Sequence, residues 1–257
     1  MRFQAISKSG RAAALALATL LAGGLAGAAQ AGCQDAPGPG VDWSNCSKAR
    51  LLLTNDDLTK SIFSRSLLTL SDFSGSLMTG AKLEEAEVSR ARFDGVDLAR
   101  ADLSRAIGWR ASFAQANLSG ASFVSADMNR SDFSQAKAMG ANFTKSELNR
   151  SDFSGADLTG ADISKAELAR VIFQNTKLTG VNFSYSNLSR AKLIDADLQG
   201  VNLAGAYLYL TQVGGADLRG AVGLTQTQLD IACGTSGTRL PPGLVKPQGW
   251  PCTEDTD

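Results

Sequence analysis

The sequence predicts an all-β solenoid with four short units per coil, closed by a short helical segment at its C-terminal end. Three observations carry that prediction. Residues 51–220 repeat with a period of five and no insertion, giving 34 units. A longer period, four units long, runs through the same stretch. All four cysteines lie outside it.

The unit has a small first residue, a polar second and a large apolar third, as in Ser151-Asp152-Phe153-Ser154-Gly155 and Ala156-Asp157-Leu158-Thr159-Gly160. The third residue is Leu, Phe, Ile, Val or Met in 32 of 34 units, with Gly108 and Ala138 as the exceptions. The first is Ala, Ser, Val or Thr in 32 of 34, with Leu51 and Asp56 departing. Five fits neither the 3.6-residue period of a helix nor the two-residue period of a plain strand. It fits a short strand followed by a corner: the first and third residues point inward, two apart, and the last two turn the chain. Such regularity marks a solenoid, in which each coil contacts its neighbours.

Two ladders set the coil. Phe73, Phe93, Phe113, Phe133, Phe153 and Phe173 recur once in every four units, and so do Arg90, Arg110, Arg130, Arg150, Arg170 and Arg190 at the fifth position. Four units per coil and a square cross-section follow. The phenylalanines should stack along one face, with leucines such as Leu98, Leu118 and Leu158 on the next. At a spacing of about 4.8 Å per coil the repeat would be roughly 40 Å long.

These units resemble the pentapeptide-repeat family, most plainly in Ala116-Asn117-Leu118-Ser119-Gly120 and Ala216-Asp217-Leu218-Arg219-Gly220. The resemblance covers about two thirds of the chain and implies a right-handed quadrilateral β-helix. It implies no single activity: some cytoplasmic members are DNA mimics that bind type II topoisomerases, and others are exported. The flanks here depart from the DNA-mimic type.

Residues 1–31 read as a secretory signal peptide. Arg2, Lys8 and Arg11 precede an apolar run from Ala12 to about Leu25, and Ala29-Gln30-Ala31 is a small-x-small cleavage site. The run is short for a membrane span. Without this leader the chain keeps 22 basic and 25 acidic residues, a net of 22 − 25 = −3. That is neither a polyanion nor a basic nucleic-acid surface, so no nucleic-acid partner is expected. An exported chain with four cysteines favours disulfides. Three connectivities are open; Cys33–Cys46 and Cys233–Cys252, each within its own flank, are favoured.

Residues 32–50 form a turn-rich N-terminal flank with Pro37, Gly38, Pro39, Gly40 and a packed Trp43. Residues 221–257 form the C-terminal flank. Gly223 ends the repeat, and Thr225 or Thr227 can cap a helix running through Leu229. Both flanks are expected to cover open coil ends, which would otherwise expose pairing edges.

Candidate chemistry is sparse. The chain has no histidine, its cysteine spacings match no zinc pattern, and no nucleophile–base pair or phosphate loop is present. The expectation is a non-enzyme with no cofactor and no metal. Acids at the second position, such as Asp132, Asp152 and Asp157, occupy the repeat's polar slot on several faces and suit backbone or solvent hydrogen bonds. The arginine ladder (Arg90 to Arg190) and Trp109 are the candidate interaction surface. Stacked arginines repel; Glu87, Asp127, Glu147, Glu167, Asp132 and Asp152 lie near enough in sequence to neutralise them in an ion-pair network. The ladder could equally serve an anionic envelope glycan. In Ala106-Ile107-Gly108-Trp109-Arg110, either Ile107 or Trp109 turns inward to fill the space at Gly108, or Trp109 stays outside as an aromatic contact. Tyr207, Tyr209 and Leu210 are expected to seat the C-terminal flank.

The sequence therefore predicts a periplasmic or secreted, non-enzymatic scaffold, monomeric or a weak dimer, that presents a rigid surface to a protein or envelope component. It has no membrane span once the leader is removed. The alternatives are a topoisomerase-binding DNA mimic and a glycan-binding module.

Overall fold

The computed structural model describes residues 32–252; the leader read over 1–31 lies outside them. The core of the fold is a set of parallel backbone bridges joining each second-position residue to its counterpart four units on. Examples are Asp72 with Arg92, Asp132 with Asp152 and Asn182 with Asn202. Four units per coil are thus observed.

Each side of a coil contributes a single bridging residue rather than a strand, and no longer strand forms among the described residues. This differs from the short strands expected, and the hydrogen bonding explains it. In most units the fourth and fifth residues form a turn closed from the next unit's first N–H to the third carbonyl, as in Ala81 N–H to Met78 O at 3.0 Å. One residue is left between successive turns. It donates to the coil before and accepts from it: Arg92 N–H reaches Ser71 O at 2.9 Å, and Phe73 N–H reaches Arg92 O at 2.8 Å. Buried backbone groups are satisfied across coils.

The turn has a fixed cost. Every fifth residue from Gly40 to Gly215 has positive φ, including 24 that are not glycine. The left-handed region disfavours a Cβ by about 1–2 kcal/mol, yet the ladder holds arginines and lysines there.

The third-position side chains fill the interior in columns. Phe73, Phe93, Phe113, Phe133, Phe153 and Phe173 stack with centroids 4.7–5.6 Å apart. Phe123 and Phe143 form a second column, stacked at 4.8 Å. They meet the first edge to face, as in Phe123–Phe133 at 5.8 Å and 82°. Edge-to-face and offset pairs add about 0.5–1.5 kcal/mol each beyond area burial. Buried hydroxyls at the first position are also satisfied: Ser131 and Ser151 donate to Gly108 O and Met128 O in the preceding coil, at 2.7 and 2.8 Å.

The ladder starts earlier than residue 51. Asp42 pairs with Ile62 and Ser47 with Leu67, so 41–50 form two units of the first coil. Their third-position residues are Trp43 and Lys48, which hides the period in the sequence. Trp43 is 1% exposed and meets Phe63 edge to face at 5.8 Å. The Lys48 ammonium lies 4.2 Å from the Trp43 ring centroid. Cys33 and Cys46 are bonded to each other, as are Cys233 and Cys252.

From Gly220 on the fifth residue is no longer left-handed, and the chain leaves strict period. Val222 still pairs with Asn202 at the regular interval. Cys233 instead pairs with Gln212 and Arg239 with Asp217, so the interval grows by one residue and then by two. Gly223 is required at the exit: its φ is +72°, and a Cβ there would lie 2.8 Å from the Ala204 Cα. Helix α1 (Gln226–Asp230) follows, capped by Thr225 through a capping box with Gln228. The Gln228 amide also donates to Leu203 O and Ala206 O, each at 2.8 Å, and Leu229 is fully buried. Trp250 Nε1–H donates to Ala232 O at 2.7 Å.

Candidate interaction surface

The six arginines of the ladder occupy one corner. Each backbone N–H donates to the carbonyl of the fourth-position residue in the next coil, as Arg110 N–H to Asn129 O at 3.1 Å and Arg150 N–H to Ala169 O at 2.9 Å. All six have φ between 56° and 62°. The backbone therefore aims them alike and holds them one coil apart.

The expected ion-pair network is corrected for four of them. Among the described residues, Arg90, Arg110, Arg130 and Arg150 show no ion pair with a carboxylate. The neighbouring acids are otherwise engaged. Asp127, Asp132 and Asp152 each accept the backbone N–H two residues on, from Asn129, Ser134 and Ser154 at 3.2, 2.8 and 2.8 Å. Glu147 accepts from Asn129 Nδ2 at 3.0 Å.

Trp109 is the partner of two of them, Arg110 and Arg130. The Arg110 and Arg130 guanidinium carbons lie 4.7 and 5.6 Å from its ring centroid, within cation–π range. The ring remains 38% exposed. Neither Ile107, 46% exposed, nor Trp109 turns inward. Met128 of the next coil and Val88 of the preceding one close over Gly108, where a Cβ would lie 2.4 Å from Met128 Sδ. The flexible thioether fills the missing volume. Tyr207 and Tyr209 also stay outside, stacked on each other at 6.1 Å. Leu210 alone of that cluster joins the C-terminal flank, its N–H bonding Ile231 O at 2.7 Å.

The second-position aspartates act as turn closers throughout the described coils. Hydrogen bonds from the Thr59 hydroxyl and backbone N–H hold the Asp57 carboxyl below its ordinary range. At Asp72 and Asp157 partial desolvation pulls upward. Bonds from Ser74 or Thr159 and the charge of Arg92 or Lys177 outweigh it. At Asp217 the Arg219 side chain leads, opposed by desolvation and aided by Arg239, and the carboxyl is held far down. Each acid is stabilised as an anion, the opposite of what a proton-donating catalyst needs. Among the described residues no group of three His, Cys, Asp or Glu side chains could hold a metal, and no helix is long and apolar enough to cross a membrane.

A concavity lies toward the C-terminal end of the described residues. A groove of about 700 Å³ opens beside the C-terminal end of the arginine corner, lined by Arg170, Arg190 and Lys192 with Ile172, Ile194 and Leu210. The Cys233–Cys252 disulfide forms part of its wall. Arginine spacing pointed to one side of it. Lys192 and Ile194 were not foreseen, because they look like any second- and fourth-position residues until the chain after Gly220 builds the opposite wall.

Comparison with known proteins gives the family. The description "Pentapeptide repeat region" matches residues 106–183 and 146–221, and "Pentapeptide repeats (8 copies)" matches 71–107. Among curated proteins none matches. Among solved structures the chain is similar to HetL, a pentapeptide repeat protein involved in heterocyst differentiation regulation in the cyanobacterium Nostoc sp. strain PCC 7120. The identity is 27% and the TM-score 0.54, over 78% of this chain and 90% of HetL. That likeness implies the right-handed quadrilateral β-helix. A trypsin-treated form of QnrB1, a plasmid-mediated fluoroquinolone resistance protein, is 17% identical over 75% of this chain and 92% of its own, with a TM-score of 0.44. A protein of the Arabidopsis thaliana thylakoid lumen is 32% identical over 37% of this chain and 63% of its own, with a TM-score of 0.23. The matched residues together run from 71 to 221, more than half of the chain, and the chain belongs to the pentapeptide-repeat family.

Proposed function

We propose that this protein is an exported, non-enzymatic scaffold whose arginine corner presents a rigid surface to a protein or cell-envelope component. The observation that supports this most is the corner itself. Six arginines sit on left-handed backbone, fixed by ladder hydrogen bonds, and an exposed Trp109 lies between two of them. Cations started alike by the backbone beside an aromatic ring suit recognition. Export is supported by the leader-like composition of residues 1–31 and by two disulfides, which persist in oxidising compartments. The segments around Trp43 and around α1 act as end caps in this reading.

The exposed Trp109 also favours a second reading, in which the envelope component is a glycan stacked on the indole. The experiment is sedimentation with isolated envelope fractions. The Arg130→Gln/Arg150→Gln double variant should lose at least tenfold in affinity, and Trp109→Ala should lose as much if a sugar ring stacks there. Unchanged sedimentation of the arginine variant would sink the corner as a binding surface. Fractionation of the expressed full chain tests export: recovery with the cytoplasm, leader intact, would overturn it and reopen the topoisomerase-binding alternative.

A further inference from the structure

Arg90, Arg130 and Arg150 each share a unit with an acid: Glu87, Asp127 and Glu147 stand at the second positions of those units. The two columns run along one face, acids toward one side and arginines at the corner. Within the chain they do not meet, for among the described residues none of these three acids forms an ion pair with an arginine. Rung by rung the second and fifth positions match in kind. Where the fifth position is Leu70 or Leu210, the second is Leu67 or Tyr207. In the unit at 106–110 the acid gives way to Ile107, and Trp109 stands beside it. Leu67, Leu70, Ile107, Trp109 and Tyr207 are 38–50% exposed. The opposite face has no such matching, since its fifth positions are Gly120, Gly140, Gly160, Gly180 and Gly200.

We infer that this face binds the same face of a second copy, with the two solenoids side by side and parallel. Charge complementarity selects the geometry. A twofold axis along the solenoid turns the second-position column of each copy onto the fourth- and fifth-position columns of the other. Every acid then meets the arginine of its own rung on the second copy, and every rung is used twice. Ile107 meets Trp109, and Leu67 meets Leu70. A twofold across the solenoid would instead set arginine on arginine and acid on acid, which repels. The acids can take this second role. Glu87 accepts one backbone N–H, from Ser89 at 3.0 Å, and a carboxylate offers about four lone-pair sites. Arginine binds a carboxylate with two parallel bonds, and the left-handed backbone starts each arginine in the same direction. From Leu67 to Tyr207 the matched face is about 34 Å long. Arg170 and Arg190 already have partners and are not needed for it. The inference rests on the corner's being a recognition surface and names its partner as a second copy; it can fail while envelope binding stands.

The test is sedimentation equilibrium of the full, oxidised chain over a wide range of concentration, with two single charge reversals, Glu147→Arg and Arg150→Glu. Both residues are exposed. Glutamate is tolerated at a left-handed corner, as at Glu85, and arginine at a bridging position, as at Arg92; circular dichroism verifies the fold of each variant. The expected result is a dimer that weakens as salt is added. Each reversal should weaken it at least tenfold, because like charges then face each other twice. The double reversal should restore it, and so should mixing the two single variants, since both contacts between unlike copies are again of opposite sign. The remote variant Lys137→Glu should leave it unchanged. Trp109 should become less accessible to acrylamide as the dimer forms, a change absent from Trp109→Phe. A monomer at every concentration, a dimer indifferent to either reversal, or single variants that stay apart on mixing would each overturn the inference. In any of those cases, envelope sedimentation that still depends on Arg130 and Arg150 leaves the scaffold reading in place.

Discussion

The coils around Phe133 and the chain beyond Gly220 use one pairing rule in two ways. Around Phe133 each bridge spans four whole units, the fifth residue is left-handed, and an aromatic fills each rung. Beyond Val222 the bridged interval is longer, from Gln212 to Cys233 and from Asp217 to Arg239, and a helix replaces a corner. The parallel bridges continue regardless. Pairing needs only a backbone donor and acceptor in register, whereas period is imposed by the interior columns. Where the columns end, insertions become permissible, and residues of that longer interval, Cys233 to Thr235, line the groove.

Phe133→Ala should do the most damage. It removes a ring that stacks on Phe113 and Phe153 and meets Phe123 and Phe143 at their edges, at a cost of about 3–5 kcal/mol. Urea denaturation measures it. The Cys233→Ser/Cys252→Ser variant removes a link across 19 residues, worth about 3 kcal/mol in the chain-entropy account. Because coils contact only neighbours, hydrogen exchange should rise at Val213 and Leu218 and stay unchanged at Phe113. Equal loss at both would show that end and middle unfold as one unit.

Two smaller changes sharpen the contrast. Gly160 has φ +67° and open space at its missing Cβ, so Gly160→Ala isolates the conformational cost of a corner, about 1 kcal/mol. Thr225→Ala removes the helix cap at the other region, also about 1 kcal/mol, and should be seen only by probes near α1. The smallest expected effect is acid sensitivity. Asp57, Asp72, Asp157 and Asp217 are held below their ordinary range. Their contribution is complete above the unfolded carboxylate value of about 3.9 and fades as pH falls through the lower folded values. Thermal melts should be flat from pH 7 to about 5 and decline below about 4; changing Asp72 and Asp157 to Asn should flatten that decline.

Much of this was legible because the pattern was redundant. The phenylalanine and arginine columns fixed four units per coil independently, and the cysteines paired within their flanks. The first coil was not legible, since Trp43 and Lys48 stand at its inward positions and Cys46 at a small one. Nor was the loose arginine network. Sequence proximity placed Asp132 and Asp152 near the ladder, but each carboxylate turns to the backbone N–H two residues on, from Ser134 and Ser154, which spacing alone does not show. The filling of Gly108 by Met128 is equally opaque, because it depends on a residue one whole coil away.

The period of the ladder has a consequence for how such a chain grows. Duplicating any four consecutive units inside 51–220 would add one coil, reproduce every backbone partner and lengthen the axis by about 4.8 Å. Inserted between Trp109 and the terminal groove, it would also move them apart by that same step without disturbing either. Spacing between surface features is thus a quantity that gene duplication can adjust in fixed increments, one coil at a time.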